Sequence, residues 1–239
     1  MSELCVYQLP TDKHLFPSPE YALAEPNGLL AVGGDLNPHR LMTAYYYGIF
    51  PWFSDGEPIM WWSPNPRAIL DLSELHVSRS LKKLIRKTPF TITLNHCFED
   101  VIHACAAPRD TQDETWITQD MINAYTQLHQ NGKAHSIEIW QNNMLVGGLY
   151  GVLIGGCFCG ESMFSLMSNA SKVAYVALVQ WLQSIGATMI DCQMQTSHLA
   201  TLGSKEVSRS DFIYRLEQVR DKHLTLQSPA QLTIKLDHL

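Results

Sequence analysis

The stretch that decides the fold is HSIEIWQNNMLVGGLYGVLIGGCFCG, residues 135–160. Polar and apolar residues alternate over 135–140, which is the two-residue period of a half-buried strand. Asn142-Asn143 and Gly155-Gly156 are turn signals that separate this segment from two further apolar segments, 144–154 and 157–160. The sequence therefore predicts three consecutive antiparallel strands.

Helical patterns flank these strands. The segment 118–131 is amphipathic and is followed by Gly132, a residue type that commonly ends a helix. The segment 172–185 reads as an apolar helix closed by Gly186, and an apolar strand over 187–192 comes next. Two further elements are predicted upstream, a strand at 90–94 and a helix at 96–106. We expect an α+β fold in which helices pack on a mixed or antiparallel sheet.

The N-terminal part combines one clear helix with one irregular segment. The segment NPHRLMTAYYYG, residues 37–48, offers an N-cap asparagine, proline at the first helical position and glycine just past the end. The next segment, 49–67, contains three tryptophans and four prolines, which predicts no regular element. We interpret it as the link between a small N-terminal α+β domain, residues 1–63, and a larger domain, residues 64–239. Its aromatic side chains either fill the seam between the domains or stack on a nucleic-acid base.

Composition excludes several classes of protein. The chain has 239 residues, of which 46% are hydrophobic and 17% charged, as in a globular protein. The six cysteines show no metal-site spacing and no export signal precedes them, so we expect reduced thiols, no metal, no cofactor and a cytoplasmic location. The uncharged segment 144–160 is shorter than the ~20 residues of a spanning helix, which argues against a membrane protein.

A basic segment interrupts the net charge of −6. No acidic residue occurs over 75–98, and apolar residues recur within it at helical spacing. Its five cationic residues are Arg79, Lys82, Lys83, Arg86 and Lys87. One interpretation is an ordinary solvated helix face, although such faces usually mix both signs of charge. The pattern favours the other interpretation, a surface that binds an anionic partner such as the phosphates of a nucleic acid.

Polar residues stand where two predicted strands end. Glu161 ends the third strand, and Asp191 and Gln193 end the strand that follows the apolar helix. Their i, i+2 spacing predicts that Asp191 and Gln193 share one face, so neighbouring strands would bring two carboxylates over one cleft. Four apolar residues would line it: Leu149, Phe158, Met163 and Leu178. Such a site can orient an amine nucleophile and bind an uncharged side chain.

Each of these polar residues also has a purely structural interpretation. Asp191 would cap the following turn, Gln193 would satisfy backbone groups, and Glu161 would pair with Lys172 or Arg209. We expect His198 to be structural or peripheral. Cys192 is expected to be a buried thiol that points away from Asp191 and Gln193, since no base is placed beside it.

Nine segments, in order, closely resemble the bacterial leucyl/phenylalanyl-tRNA–protein transferases. They are LFPSPE (15–20), EPNGLLAVGGD (25–35), GIFPWFS (48–54), WWSPNPR (61–67), TWIT (115–118), HSIEIW (135–140), FCGESMFS (158–165), NASK (169–172) and IDCQ (190–193). The resemblance implies a C-terminal domain similar to the N-acetyltransferase fold. It also implies transfer of Leu, Phe or, less well, Met from aminoacyl-tRNA to proteins with N-terminal Arg or Lys, which marks them for degradation.

The resemblance also implies roles for individual residues. Asp191 and Gln193 match a pair that positions and helps to deprotonate the attacking amine, and Glu161 matches an acidic residue of the site. Trp52 is similar to the residue that stacks on the terminal adenine of tRNA. Trp116 is expected to line the site, the four apolar residues to hold the transferred side chain, and the basic helix to contact the acceptor stem. No metal, cofactor or covalent enzyme intermediate is required, and we expect a monomer.

Two other functions compete with this one. An acyl-CoA N-acetyltransferase would carry a pyrophosphate-binding loop before a helix, and the nearest candidate, QSIGAT (183–188), ends a helix and lacks the last small residue. A non-catalytic tRNA-binding module would explain Trp52 and the basic segment. It would leave Glu161, Asp191 and Gln193 around an apolar cleft without a purpose.

Overall fold

The fold contains two β-sheets. The computed structural model describes residues 6–12, 15–87, 90–108, 115–226 and 231–235. The smaller sheet has four strands in the order β1-β2-β4-β3. These strands are β1 (Tyr7–Leu9), β2 (Leu29–Gly33), β3 (Phe50–Pro51) and β4 (Met60–Trp62), and helix α1 (Pro38–Tyr46) lies between β2 and β3 in the chain.

The larger sheet has seven strands in the order β11-β5-β10-β9-β8-β7-β6. They are β5 (Arg67–Asp71), β6 (Thr91–Leu94), β7 (Ala134–Gln141), β8 (Met144–Ile154), β9 (Cys157–Ser165), β10 (Met189–Gln193) and β11 (Lys205–Val207). The predicted antiparallel arrangement of β7, β8 and β9 is confirmed. Strands β9 and β10 pair in parallel, which requires a crossover connection between them.

Helices cover both faces of the larger sheet. They are α2 (Arg79–Lys87), α3 (Phe98–Ala106), α4 (Gln119–Gln130), α5 (Ala170–Ser184), α6 (Ser197–Ala200) and α7 (Arg209–Glu217). Helix α5 is the crossover between β9 and β10, and it packs with α2 against one face. Helices α1, α3, α4 and α7 contribute to the core on the opposite face. The α+β class with a mixed sheet is therefore confirmed.

The prediction for residues 49–67 is wrong in part, because the segment contains β3, β4 and the start of β5. Strand β3 lies at the edge of the smaller sheet, where Pro51 removes no ladder hydrogen bond that the sheet needs. Trp61 of β4 is completely buried and donates its indole N–H to the carbonyl of Gly33 at 2.9 Å. Proline at a sheet edge and tryptophan, a residue type that strands favour, are both compatible with these short strands.

The two sheets share one hydrophobic core. Tyr45 of α1 and Trp61 of β4 belong to the same buried cluster as Tyr125 of α4 and Phe212 of α7. The chain passes from the smaller sheet to the larger sheet between Trp62 and Arg67. Residues that precede Arg67 are therefore placed to take part in a site built on the larger sheet.

The segment 144–160 forms β8, a turn and the first part of β9. Within the described residues, no helix is long and apolar enough to cross a membrane. Near the C-terminus, Leu232 donates its N–H to the carbonyl of Ile92 at 2.8 Å and extends the larger sheet beyond β6 by one bridge.

Candidate active site

A cavity of about 670 Å³ opens where β9 and β10 part. The last paired residues of these strands are Cys159 and Asp191, whereas β9 continues beside β8 as far as Ser165. Beyond the last pair, Glu161 from β9 and Gln193 from β10 both line the cavity. A gap between parallel strands is thus the structural origin of the site.

The cavity wall is largely apolar. The four residues predicted to form a side-chain pocket all line it: Leu149, Phe158, Met163 and Leu178. They come from β8, β9 and α5, and the sheet register brings them together. Because polar groups occupy only part of the wall, it suits an uncharged, apolar group.

Two tryptophans also line the cavity. Trp52 follows β3 and is 41% exposed, so its ring stands at the rim. Its carbonyl accepts a hydrogen bond from the indole of Trp62 at 2.6 Å, and the two rings meet edge to face at 5.7 Å. Trp116, which precedes α4, is half-buried. The smaller sheet therefore supplies part of the wall.

Glu161 lies at an irregularity in the pairing of β8 and β9. Tyr150 pairs with Ser162 and Gly151 with Gly160, which leaves Glu161 opposite no residue of β8. Its Oε2 accepts a hydrogen bond from the hydroxyl of Tyr125 at 2.9 Å, and that hydroxyl also bonds to the hydroxyl of Tyr45. Its Oε1 is buried and has no partner among the described residues.

The surroundings of Glu161 favour its neutral form. Burial raises the pKa of this carboxyl to about 7, and the nearby hydroxyls of Tyr45 and Tyr125 oppose the rise only in part. Neither of the two cations expected to pair with Glu161 is engaged with it in the described structure. Lys172 donates to Thr201 at 3.0 Å, and Arg209 donates to the carbonyl of Ser63 at 2.7 Å.

The position of Asp191 corrects the prediction that it faces the cleft with Gln193. Asp191 is 1% exposed and does not line the cavity. The register shifts between Asp191 and Gln193, and Gln193 has a φ of 56°. Two residues that would share a face in a regular strand therefore point in different directions, because a bulge changes the alternation of side chains.

Arg67 is the partner of Asp191. Its Nε donates to Oδ1 at 2.8 Å and its Nη2 to Oδ2 at 2.7 Å, a bidentate ion pair. Oδ1 also accepts the backbone N–H of Gln193 at 3.0 Å, which agrees in part with the turn-capping interpretation of Asp191. Burial disfavours the charge of Arg67, but Asp191 outweighs burial and the pKa of Arg67 is raised.

Sequence reasoning assigned no role to Arg67, although it ends the segment WWSPNPR. Its guanidinium lies 4.8 Å from the ring centre of Phe50 and 4.4 Å from that of Phe212. Its Nη1 donates to the carbonyl of Gly48 at 3.1 Å. The sequence carries no local signal of its role, because its partner lies 124 residues away in the chain.

The expectation that Cys192 is a buried thiol is confirmed, whereas the peripheral position expected for His198 is not observed. His198 lines the cavity, and its Nε2 is buried with no partner in the part of the chain that the structure describes. Cys192 also borders the cavity, together with Gln193. Its thiol lies 3.4 Å from the hydroxyl of Tyr175, and burial raises its pKa to about 12. A thiol in this state is a poor nucleophile at neutral pH.

The basic segment forms helix α2, as predicted. Leu81 is buried in the core beneath α5, with Leu84 and Ile85 packed beside it. Arg79, Lys83, Arg86 and Lys87 are exposed, whereas Lys82 is half-buried. The prediction that this helix has one apolar face and one basic face is confirmed. Lys82, however, is less accessible than the pattern predicts.

Comparisons with known proteins match most of the chain. Residues 69–217 match the family model described as leucyl/phenylalanyl-tRNA protein transferase, and residues 34–65 match the model of its N-terminal domain. A leucyl/phenylalanyl-tRNA–protein transferase of Tolumonas auensis is 52% identical over 234 residues, which is 97% of this chain and 100% of the relative. One of Pectobacterium atrosepticum is 57% identical over 216 residues, 90% of this chain and 92% of the relative.

Among solved structures, two more distant matches are the L-PGS of Bacillus licheniformis and a GCN5-related N-acetyltransferase of Kribbella flavida. The first has a TM-score of 0.37 and 11% identity, over 72% of this chain and 57% of that one. The second has a TM-score of 0.34 and 12% identity, over 69% of this chain and 58% of that one.

Proposed function

Because this chain belongs to the leucyl/phenylalanyl-tRNA–protein transferase family, we propose that it transfers leucine or phenylalanine from aminoacyl-tRNA to the α-amine of a protein. It is an aminoacyltransferase. The observation that carries the proposal is the cavity between β9 and β10, which combines an apolar wall with a carboxyl whose Oε1 has no partner among the described residues.

The proposed donors and acceptors follow from the same cavity. Its apolar wall suits Leu and Phe and, less well, the flexible side chain of Met. The acceptors proposed are proteins that begin with Arg or Lys, and transfer to them would mark those proteins for degradation. Glu161 is the one carboxylate lining the cavity in the described part of the chain, which supports binding of a cationic acceptor there.

In the proposed reaction, the nitrogen of the acceptor amine attacks the ester carbonyl of the aminoacyl-tRNA. A C–N bond forms, the C–O bond to the terminal ribose breaks, and a proton must leave the amine and reach the released hydroxyl. Glu161 suits the exchange of that proton, because a group with a pKa of about 7 exists in both forms at neutral pH. Gln193, whose Nε2 is buried without a partner in the described structure, is proposed to orient the reactants.

The enzyme has little further chemistry to supply, because an aminoacyl ester is already activated. Holding amine and ester together contributes ~7–11 kcal/mol in well-oriented reactions, and we expect this to be the largest effect. The raised pKa of Cys192 supports direct attack by the amine over an acyl-thiol intermediate. Asp191 remains part of the proposed site, one hydrogen bond behind the backbone of Gln193.

The tRNA is proposed to reach the cavity from its rim. Trp52 would stack on the terminal base, since its exposed ring borders the opening. The exposed cations of α2 would contact phosphates of the acceptor stem, with Lys82 as a partly covered neighbour.

The test is transfer of labelled leucine or phenylalanine from tRNA to a peptide with N-terminal arginine. We expect labelling that ribonuclease pretreatment of the donor abolishes and that labelled acetyl-CoA does not replace. A peptide that begins with an uncharged residue is the matched control. Labelling that survives complete digestion of the tRNA would overturn the assignment of the donor.

A further inference from the structure

We propose that Arg67 and Asp191 form an anchor that fixes Gln193 at the cavity wall, so that Arg67 is a positioning residue and Asp191 does not accept the amine proton. This inference rests on the proposed function, because Gln193 matters only if a reaction takes place in the cavity. It differs from the role that the resemblance implies for Asp191.

The carboxylate of Asp191 is fully occupied by protein donors. Both of its oxygens accept hydrogen bonds from the Arg67 guanidinium, and Oδ1 accepts the N–H of Gln193 as well. The side chains of Asp191 and Arg67 are each 1% exposed. The donors of Arg67 and Gln193 therefore enclose the carboxylate inside the protein, and it presents no open face to a substrate amine.

Asp191 is connected to the cavity wall through the backbone of Gln193. Asp191 bonds to the backbone N–H of Gln193, and the hydrogen bonds of its carboxylate in the described structure include none from the side-chain amide. The buried Nε2 of that amide has no partner in the described residues. The described structure thus contains no direct hydrogen bond that would carry a proton from this amide to Asp191.

Gln193 has an unusual backbone conformation. Its φ of 56° lies in the left-handed region, which side chains other than those of glycine, asparagine and aspartate rarely adopt. The hydrogen bond from its N–H to Oδ1 of Asp191 holds this conformation. Without it, Gln193 would relax toward an extended backbone and its amide would turn away from the cavity.

Arg67 is itself held in place by several parts of the fold. Its guanidinium is enclosed by the rings of Phe50 and Phe212 and bonds to the carbonyl of Gly48. Phe50 also lines the cavity. These contacts come from the smaller sheet, α7 and the segment after α1, so the anchor joins three parts of the fold to the end of β10.

Three variants test this inference: Asp191→Asn, Arg67→Gln and the double variant. Asp191→Asn alone leaves a buried arginine charge and should lower kcat for peptide labelling at least tenfold, with the KM for aminoacyl-tRNA nearly unchanged. The double variant replaces the ion pair by two neutral amides that can bond to each other, and the Oδ1 of the introduced asparagine can still accept the N–H of Gln193. We expect it to recover most of the lost kcat.

The kcat of the double variant distinguishes an anchoring role of Asp191 from a role as the base. If Asp191 accepts the proton, Arg67→Gln cannot restore kcat, and a folded double variant as slow as Asp191→Asn overturns the proposal. Arg67→Lys covers the case in which the double variant does not fold, because it keeps the charge but loses the bidentate geometry. A parental kcat for Arg67→Lys would equally overturn the proposal.

Arg215→Gln is the matched control, since it removes an arginine that pairs with two carboxylates at a partly exposed position. It should leave kcat unchanged. Failure of the proposed function has a different signature, namely that the parent enzyme itself gives no tRNA-dependent labelling of the peptide.

Discussion

Glu161 and Asp191 stand near the ends of neighbouring parallel strands, yet they lie in opposite environments. Glu161 borders the cavity, receives one tyrosine hydroxyl and has a pKa raised to about 7 by burial. Asp191 lies behind the cavity wall, where Arg67 binds both of its oxygens. The two carboxylates are of similar chemistry, and their neighbours alone make one of them available and the other unavailable to a substrate.

The difference shows that proximity to a site does not make a carboxylate a base. A group suited to proton transfer at neutral pH must be able to lose and regain a proton at little cost, as Glu161 can. An ion-paired carboxylate in the interior contributes geometry instead, because the pair is stable only while both charges remain. Variants of the two residues should separate these roles.

The largest expected difference between variants of the two carboxylates is in the free energy of unfolding. Asp191→Asn should lower the free energy of unfolding by about 3–5 kcal/mol, because it leaves the charge of Arg67 buried without its partner. Glu161→Gln should cause no comparable loss at pH 8, because burial disfavours the charge that it removes. Urea unfolding of both variants measures the difference, and equal losses would remove the distinction between the two carboxylates.

The rate of transfer, in contrast to stability, should depend more on Glu161 than on Asp191. Glu161→Gln should lower the single-turnover rate by about 10²-fold at neutral pH, the usual contribution of a positioned acid–base group. The affinity for aminoacyl-tRNA should not change, since Trp52 and α2 provide the proposed contacts. A Glu161→Gln enzyme that works at the parental rate would exclude Glu161 as the proton acceptor.

Trp52 tests whether the rim acts independently of both carboxylates. Trp52→Ala should weaken donor binding by ~1–3 kcal/mol, the value of one stacked base, and Trp52→Phe should retain part of it. The single-turnover rate at saturating donor should remain within a few-fold of the parent. If both variants bind donor normally but melt early, Trp52 packs the seam between the sheets and binds no base.

The pH dependence of stability should separate the two carboxylates further. The pKa of Glu161 is raised from 4.5 to about 7, so its neutral form stabilises the fold below about pH 4.5. That contribution is lost as pH rises through 7. Relative to the parent, Glu161→Gln should therefore gain stability between pH 5 and pH 8, on the order of 1–2 kcal/mol for a half-buried residue. A difference that stays constant with pH would contradict the raised pKa.

The smallest effect is expected far from both strand ends, on α2. Changing Lys83, Arg86 and Lys87 to Ala should weaken tRNA binding without loss of stability, since all three are exposed. The slope of log affinity against log salt should become shallower by ~0.7–0.9 for each phosphate that the variant no longer binds. An unchanged slope would mean that these residues form an ordinary solvated surface.

Much of the fold was accessible to prediction because its signals are local. Strands β7, β8 and β9, their two turns and helix α5 follow from residue periodicity and from turn residues within a few positions of one another. Strands β3 and β4 were missed, since two or three residues are too few to show a period. The residues that line the cavity were predicted by combining strand ends with the family resemblance.

The sequence by itself determined the strand and helix pattern, the apolar wall and the two faces of α2. Only the tertiary structure decided the environments of the charged groups. Arg67 meets Asp191 across 124 residues, and Tyr125 meets Glu161 across 36. Both contacts depend on sheet register, and a shift of one residue, as between Asp191 and Gln193, turns a side chain to the other face. Local periodicity does not encode such a shift, because it arises from the packing of distant segments.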